Sequence, residues 1–245
     1  MSALEKRGFI HAVVLRRDKV PDFGRYPFAI PAVKRMEELA LHPEVTFFVG
    51  ENGSGKSTLV EAIAMAAGFN AEGGSKNFNF STRRTESELH QYLRLVRGVK
   101  REKTGYFLRA ESFYNVASQV DALGLELAAY GDRSLHAQSH GESFLALVNH
   151  RFGKNGLYIL DEPEAALSPQ RQLALLKRIR DLTRLGCQFI IATHSPILLA
   201  YPEAMLISLS LTGVETVRYE ETEHFWLTRD FLNNRERYLK HLFEE

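Results

Sequence analysis

The sequence predicts an α/β fold: a mainly parallel sheet flanked by helices, with an N-terminal antiparallel β portion and an inserted helical or mixed subdomain. Three observations carry that expectation. Short apolar runs of strand character recur at Val45–Val49, Leu157–Leu160 and Phe189–Thr193. Helical patterns at 56–67 and 170–185 alternate with them, the rhythm of a parallel sheet covered on both faces. The rhythm breaks between Gly68 and Gly141, so residues 1–67 and 142–245 are expected to form the core and 68–141 the insertion.

Each element has a local reason. Phe9–Leu15 is apolar and bounded by charges, which reads as a strand, whereas PDFGRYPFAIP (Pro21–Pro31) is proline-punctuated and reads as an irregular or edge segment. Val45–Val49 is β-branched and aromatic, a buried strand. An alanine-rich helix should run from Lys56 to Ala67 and stop at Gly68. The Gly- and Asn-rich 70–84 stretch is loop. Leu89, Leu93 and Val96 predict an amphipathic helix over 86–96. Tyr106–Ala110 predicts a strand, and 115–123 a helix. In HAQSHGESFLAL (136–147), Ser139 and Glu142 have the spacing of a capping box, which on its own implies no more than a capped helix. Strand, helix and strand follow at 157–160, 170–185 and 189–193. RDFLNNRERYLKHLF (229–243) carries an apolar stripe at helical spacing and is expected to dock on the body.

Bulk properties exclude several classes. A chain of 245 residues with 44% hydrophobic content can bury one sizeable core. A net charge of +1 gives no global attraction to polyanions. The single Cys187 cannot form an internal disulfide and fits a reducing compartment. No apolar run approaches the ~20 residues of a membrane span, and the start of the chain lacks the apolar segment of a leader. A cytoplasmic soluble protein is expected.

The chemistry is concentrated in three places. Gly50-Glu51-Asn52-Gly53-Ser54-Gly55-Lys56-Ser57-Thr58 is a complete G-x-x-x-x-G-K-[ST] element between a strand and a helix. Its glycines let backbone N–H groups converge on phosphate oxygens at a helix N-terminus. Lys56 should reach the β- and γ-phosphates and the Ser57 hydroxyl should bind Mg²⁺. The strand at 157–160 delivers Asp161 and Glu162 to its carboxyl end, where open α/β sheets bind ligands. Asp161 would hold Mg²⁺, and Glu162 would act on the attacking water as general base. Thr193-His194-Ser195-Pro196 ends the next strand, which brings His194 to the same sheet edge.

These three motifs, in this order, resemble the ABC-type ATPases, the nucleotide-binding heads of transporters and DNA-repair machines. The wording ENGSGKST, DEPEAALSP and ATHSPILLA is similar to the stand-alone bacterial "AAA family" ATPases allied to the SMC and repair-type heads. The resemblance implies ATP and Mg²⁺ as ligands, ATP hydrolysis, and a homodimer that sandwiches two nucleotides. Ser139-His140-Gly141-Glu142 matches the family's signature, which closes over the γ-phosphate held by the other subunit; His140 stands where the family usually has a second glycine. Leu167-Ser168-Pro169-Gln170 occupies the place of the loop that crosses the dimer interface. The family's lid glutamine has no direct counterpart: Glu111 is the candidate, with Gln119 second. Tyr26 is the candidate for stacking on adenine. Basic residues at 83, 84, 94, 97, 100, 101, 103 and 109 could track a nucleic-acid backbone. That stretch keeps open a nucleotide-gated DNA- or protein-binding module beside the hydrolase, and a transporter's ATPase subunit is the third reading.

Overall fold

The computed structural model describes residues 8–76, 87–110 and 139–244. Two sheets build it. A three-stranded antiparallel sheet joins β2 (Glu38–Ala40), β1 (Ile10–Leu15) and β4 (Leu93–Arg97) in that spatial order. The larger sheet has the order β5 (Thr104–Arg109), β6 (Gly156–Asp161), β7 (Gln188–Ala192), β3 (Val45–Val49), β8 (Met205–Ser210), β9 (Gly213–Val217). Its first five strands run parallel and β9 returns antiparallel beside β8.

Side-chain alternation explains why the central strands read as unbroken apolar runs. Val45, Phe47 and Val49 face one core with Tyr158, Leu160, Phe189 and Ile191, against α3 (His140–Arg151) and α4 (Pro169–Arg184). Phe48, Ile159, Ile190 and Ala192 face the other, against α1 (Pro31–Arg35), α2 (Lys56–Ala66) and the antiparallel sheet. Both faces of each strand are therefore dry. At the start of β7, the fully buried Gln188 ties the two sheets together: its Oε1 accepts from the backbone N–H groups of Phe9 and Ile10, and its Nε2 donates to the carbonyls of Ile10 and His42.

Several expectations change. The helix predicted over 86–96 is a short 3₁₀ turn at Glu88–Tyr92 followed by β4, which pairs with β1. Leu89 and Leu93 are buried in both geometries, so the period of four did not discriminate. What decides is the open edge of β1, whose backbone groups β4 satisfies. Residues 93–97 and 104–109, expected within the 68–141 insertion, are thus strands of the two sheets. The hairpin β8–β9 had no sequence signal strong enough to name it. The C-terminal stripe forms α6 (Glu223–Asn233) and α7 (Arg235–Phe243), which bury no residue; α6 touches the short α5 (Pro196–Leu199) while Leu232, Leu242 and Phe243 stay exposed. The helix expected at 115–123 lies outside the described residues. Among those described, no helix is long and apolar enough to cross a membrane.

Candidate active site

The strand order puts β7 between β6 and β3, so the loops after all three meet at one carboxyl edge. Backbone geometry there demands glycine. Gly50 has φ +144°, and a Cβ on it would lie 2.3 Å from the Leu209 carbonyl oxygen; a Cβ on Gly55, at φ +96°, would lie 2.6 Å from Ile30 Cγ2. The loop thus curls tightly into α2. Lys56 is only 4% exposed, and its Nζ donates to the Gly50 and Glu51 carbonyls at 2.9 Å each. Burial pulls its pKa down, opposed by the nearby carboxylates of Glu162, Asp161 and Glu164. Glu51, Asn52, Gly53 and Ser54 line a 490 Å³ cavity that reaches His224. The Ser54 hydroxyl is buried with no hydrogen-bond partner among the described residues.

Asp161 sits at the end of β6, 5% exposed, and accepts a hydrogen bond from Ser57 Oγ at 3.1 Å. Arg109, its neighbour in register on β5, places Nε 3.7 Å from Asp161 Oδ2 and donates to Glu61 Oε2 at 2.6 Å. Glu162, just past the strand, adopts a left-handed backbone (φ 50°, ψ 51°). It lies 3.6 Å from His194 Nε2. Ser57, Asp161, Glu162, Arg109 and His140 share the walls of a 230 Å³ cavity.

His194 is held from two sides. Its backbone N–H donates to Glu164 Oε1 at 2.5 Å, and its Nδ1 lies 2.9 Å from His224 Nε2 in the first turn of α6. Burial, then the Lys56 charge and His224, push the His194 pKa down to about 4, so the ring is neutral at pH 7. Burial raises the Glu164 carboxyl and lowers His224.

The signature residues form the start of α3. Glu142 reaches back to accept from the Ser139 N–H at 3.0 Å and from its hydroxyl at 2.8 Å, which holds the exposed carboxyl below its usual range. Arg171 of α4 clasps both, donating to Glu142 Oε1 at 3.0 Å and Ser139 Oγ at 3.2 Å. Gly141 packs so closely that a Cβ would lie 2.7 Å from Arg171 Nη1 and 2.9 Å from the Ala166 carbonyl. Tyr26 Oη lies 3.3 Å from Thr58 Oγ1, with the side chain 65% exposed beside α2. Glu111, Gln119, Arg83 and Arg84 lie outside the described residues. Of the other bases, Arg97 and Arg109 pair with Glu102 and Glu61, while Arg94, Lys100, Arg101 and Lys103 are exposed.

Sequence reasoning placed Arg109 only in the basic stretch, not at the acidic edge, and missed Arg171, Glu164 and His224. Arg109 ends a predicted strand beside β6 and could have been found by register; the others have no local motif. The residues fit a Mg–nucleotide. Ser57 Oγ and Asp161 Oδ1 are hard oxygen donors placed together, the cavity they line is open beside the loop, and Gly50 and Gly55 of the cradle have no room for a Cβ.

Comparison with known proteins adds the family. Residues 26–122 match an AAA domain, and residues 134–200 match an AAA domain whose description names the AbiEii toxin and Type IV TA systems. The chain is 31% identical over 170 residues to the cytochrome c biogenesis ATP-binding export protein CcmA of Aliivibrio fischeri, covering 65% of this chain and 83% of that protein. It is 29% identical over 184 residues to the ribose import ATP-binding protein RbsA of Chelativorans sp., covering 67% of this chain and 35% of that one. Among solved structures, cbiO1 of the Clostridium perfringens transporter complex cbiONQ matches with TM-score 0.47 and 20% identity, over 86% of this chain and 91% of that one. The Thermotoga maritima SMC head domain matches with TM-score 0.46 and 15% identity, over 86% and 98%. With its phosphate loop, paired acids and relatives, the chain belongs to the ABC-type P-loop ATPases.

Proposed function

We propose that this chain hydrolyses Mg–ATP in an ATP-sandwiched homodimer and couples that cycle to movement of a partner. The observation that carries the reading is the convergence of Ser57, Asp161, Glu162 and His194 at one sheet edge with the phosphate loop. Lys56 exchanges its two loop carbonyls for β- and γ-phosphate oxygens. Ser57 and Asp161 hold Mg²⁺, which neutralises charge on the phosphates. Glu162 accepts a proton from water as the water oxygen bonds to the γ-phosphorus and the bond to ADP breaks. The neutral His194 ring offers an N–H to the γ-phosphate. Positioning and electrostatics supply most of the rate.

Ser139, exposed at the start of α3, serves the partner's nucleotide, with the buried Gly141 letting the helix start sit close against Arg171 and Ala166. A two-fold axis makes both sites composite. The test is ATPase rate against protein concentration for the wild type and Glu162→Gln, with size-exclusion runs with and without Mg–ATP. Specific activity that rises with concentration, with an inactive Glu162→Gln that dimerises on ATP, supports the composite site. Concentration-independent activity from a monomer overturns it and leaves Ser139–Glu142 a capped helix.

The exposed Arg94, Lys100, Arg101 and Lys103 favour a second reading, a nucleotide-gated module that binds nucleic acid with little turnover. Salt-dependent retention on DNA separates it from the first. The likeness to CcmA favours a transporter's ATPase subunit, which co-purification with a membrane protein would support.

A further inference from the structure

His224 belongs to none of the sequence motifs, yet its ring meets the nucleotide edge directly. Its Nε2 is 2.9 Å from His194 Nδ1, a distance at which one of the two atoms must carry the hydrogen. His194 Nε2, on the far side of the ring, is buried, has no hydrogen-bond partner among the described residues, and lies 3.6 Å from Glu162 Oε1.

From this geometry we infer that His224 is a positioning residue: its Nε2–H donates to His194 Nδ1 and fixes His194 as the tautomer that carries its hydrogen on Nε2, facing Glu162 and the phosphate site. The opposite assignment would put a bare Nε2 lone pair against the Glu162 carboxylate, two acceptors facing each other. A doubly protonated ring is disfavoured by burial and by the Lys56 ammonium, so both histidines stay neutral and one hydrogen is shared between them. The groups facing the pair are Lys56, Glu162, Glu164 and, from α6, Glu223. The consequence is a dependence of the His194 N–H on α6: the first turn of the C-terminal helices selects which nitrogen can donate at the γ-phosphate.

This inference rests on the proposed role of His194 in hydrolysis, and two readouts keep them apart. The first is the ¹⁵N tautomer signature of His194 in the nucleotide-free full chain, which needs no turnover. The wild type should show the Nε2–H form, His224→Phe a mixture, and His224→Gln, whose amide can still donate, the wild-type form. The second is steady-state ATP hydrolysis: His224→Phe should lower kcat by roughly tenfold with KM nearly unchanged, and His224→Gln should restore most of it. An Nδ1–H wild-type His194, or a signature unmoved by His224→Phe in a chain that still folds by circular dichroism, overturns the inference. If the tautomer shifts as expected but His194→Ala hydrolyses ATP normally, the His194 role fails while the positioning by His224 stands.

Discussion

The nucleotide edge of the large sheet and the two C-terminal helices are built on opposite terms. At the edge, polar and charged groups are buried: Lys56, Asp161 and Thr193 are all nearly inaccessible, and they are compensated by two loop carbonyls, the Ser57 hydroxyl and the Ser195 backbone N–H respectively. In α6 and α7 nothing is buried, and Leu232, Leu242 and Phe243 lie open on the surface. A desolvated charge costs free energy that only geometry or a ligand can offset. The edge therefore carries cost for the sake of chemistry, whereas the helices carry apolar surface that contributes little to stability. His224 is where the two regions touch.

That contrast can be broken from either side. The largest expected change is Phe47→Ala, in the core beneath the edge, which should lower unfolding free energy by about 3–5 kcal/mol in urea titrations. Lys56→Met should cut ATP hydrolysis roughly 10²–10³-fold, yet leave the melting temperature equal or higher, because a buried cation is replaced by an apolar chain of similar length. A fall in melting temperature comparable to that of Phe47→Ala would show that Lys56 stabilises the empty loop.

A smaller effect should come from pH. His194 has a folded pKa of about 4 against an ordinary 6.5, so the unfolded chain binds the extra proton first. Its stabilising contribution is complete above about 6.5 and is lost as pH falls toward 4. Denaturation midpoints measured across that window should decline on acidification, and His194→Gln should flatten the slope. The smallest change belongs to the helices: Leu242→Ala and Phe243→Ala should each stay within about 0.5 kcal/mol of wild type. A loss of several times that would mean these side chains are covered in solution.

How legible each region was in the sequence follows the same divide. The strands at 45–49, 157–161 and 188–192 were readable because both faces are buried, and the phosphate loop because its glycines serve a backbone shape that few residues can adopt. Ser139 and Glu142 could be paired from spacing alone, since a capping box is a contact within one turn. Leu89 and Leu93 misled because a 3₁₀ turn leading into a strand buries the same two side chains as a helix would. The clasp by Arg171 and the ring contact of His224 were not legible. Each joins residues about thirty apart through tertiary packing, with no local pattern to announce it. The exposed stripe of α7 reads in sequence as a docking face because periodicity reports amphipathicity, not what lies opposite.

Gln188 gives the chain a mechanical property. One strand, β7, carries at its start the amide that fastens the antiparallel sheet and, just past its end, the histidine that faces Glu162. With all four amide valences engaged, the joint has no slack for the sheets to slide on one another. The foot of β7 is thus a fixed joint, and a displacement of the strand there would have to carry the antiparallel sheet with it.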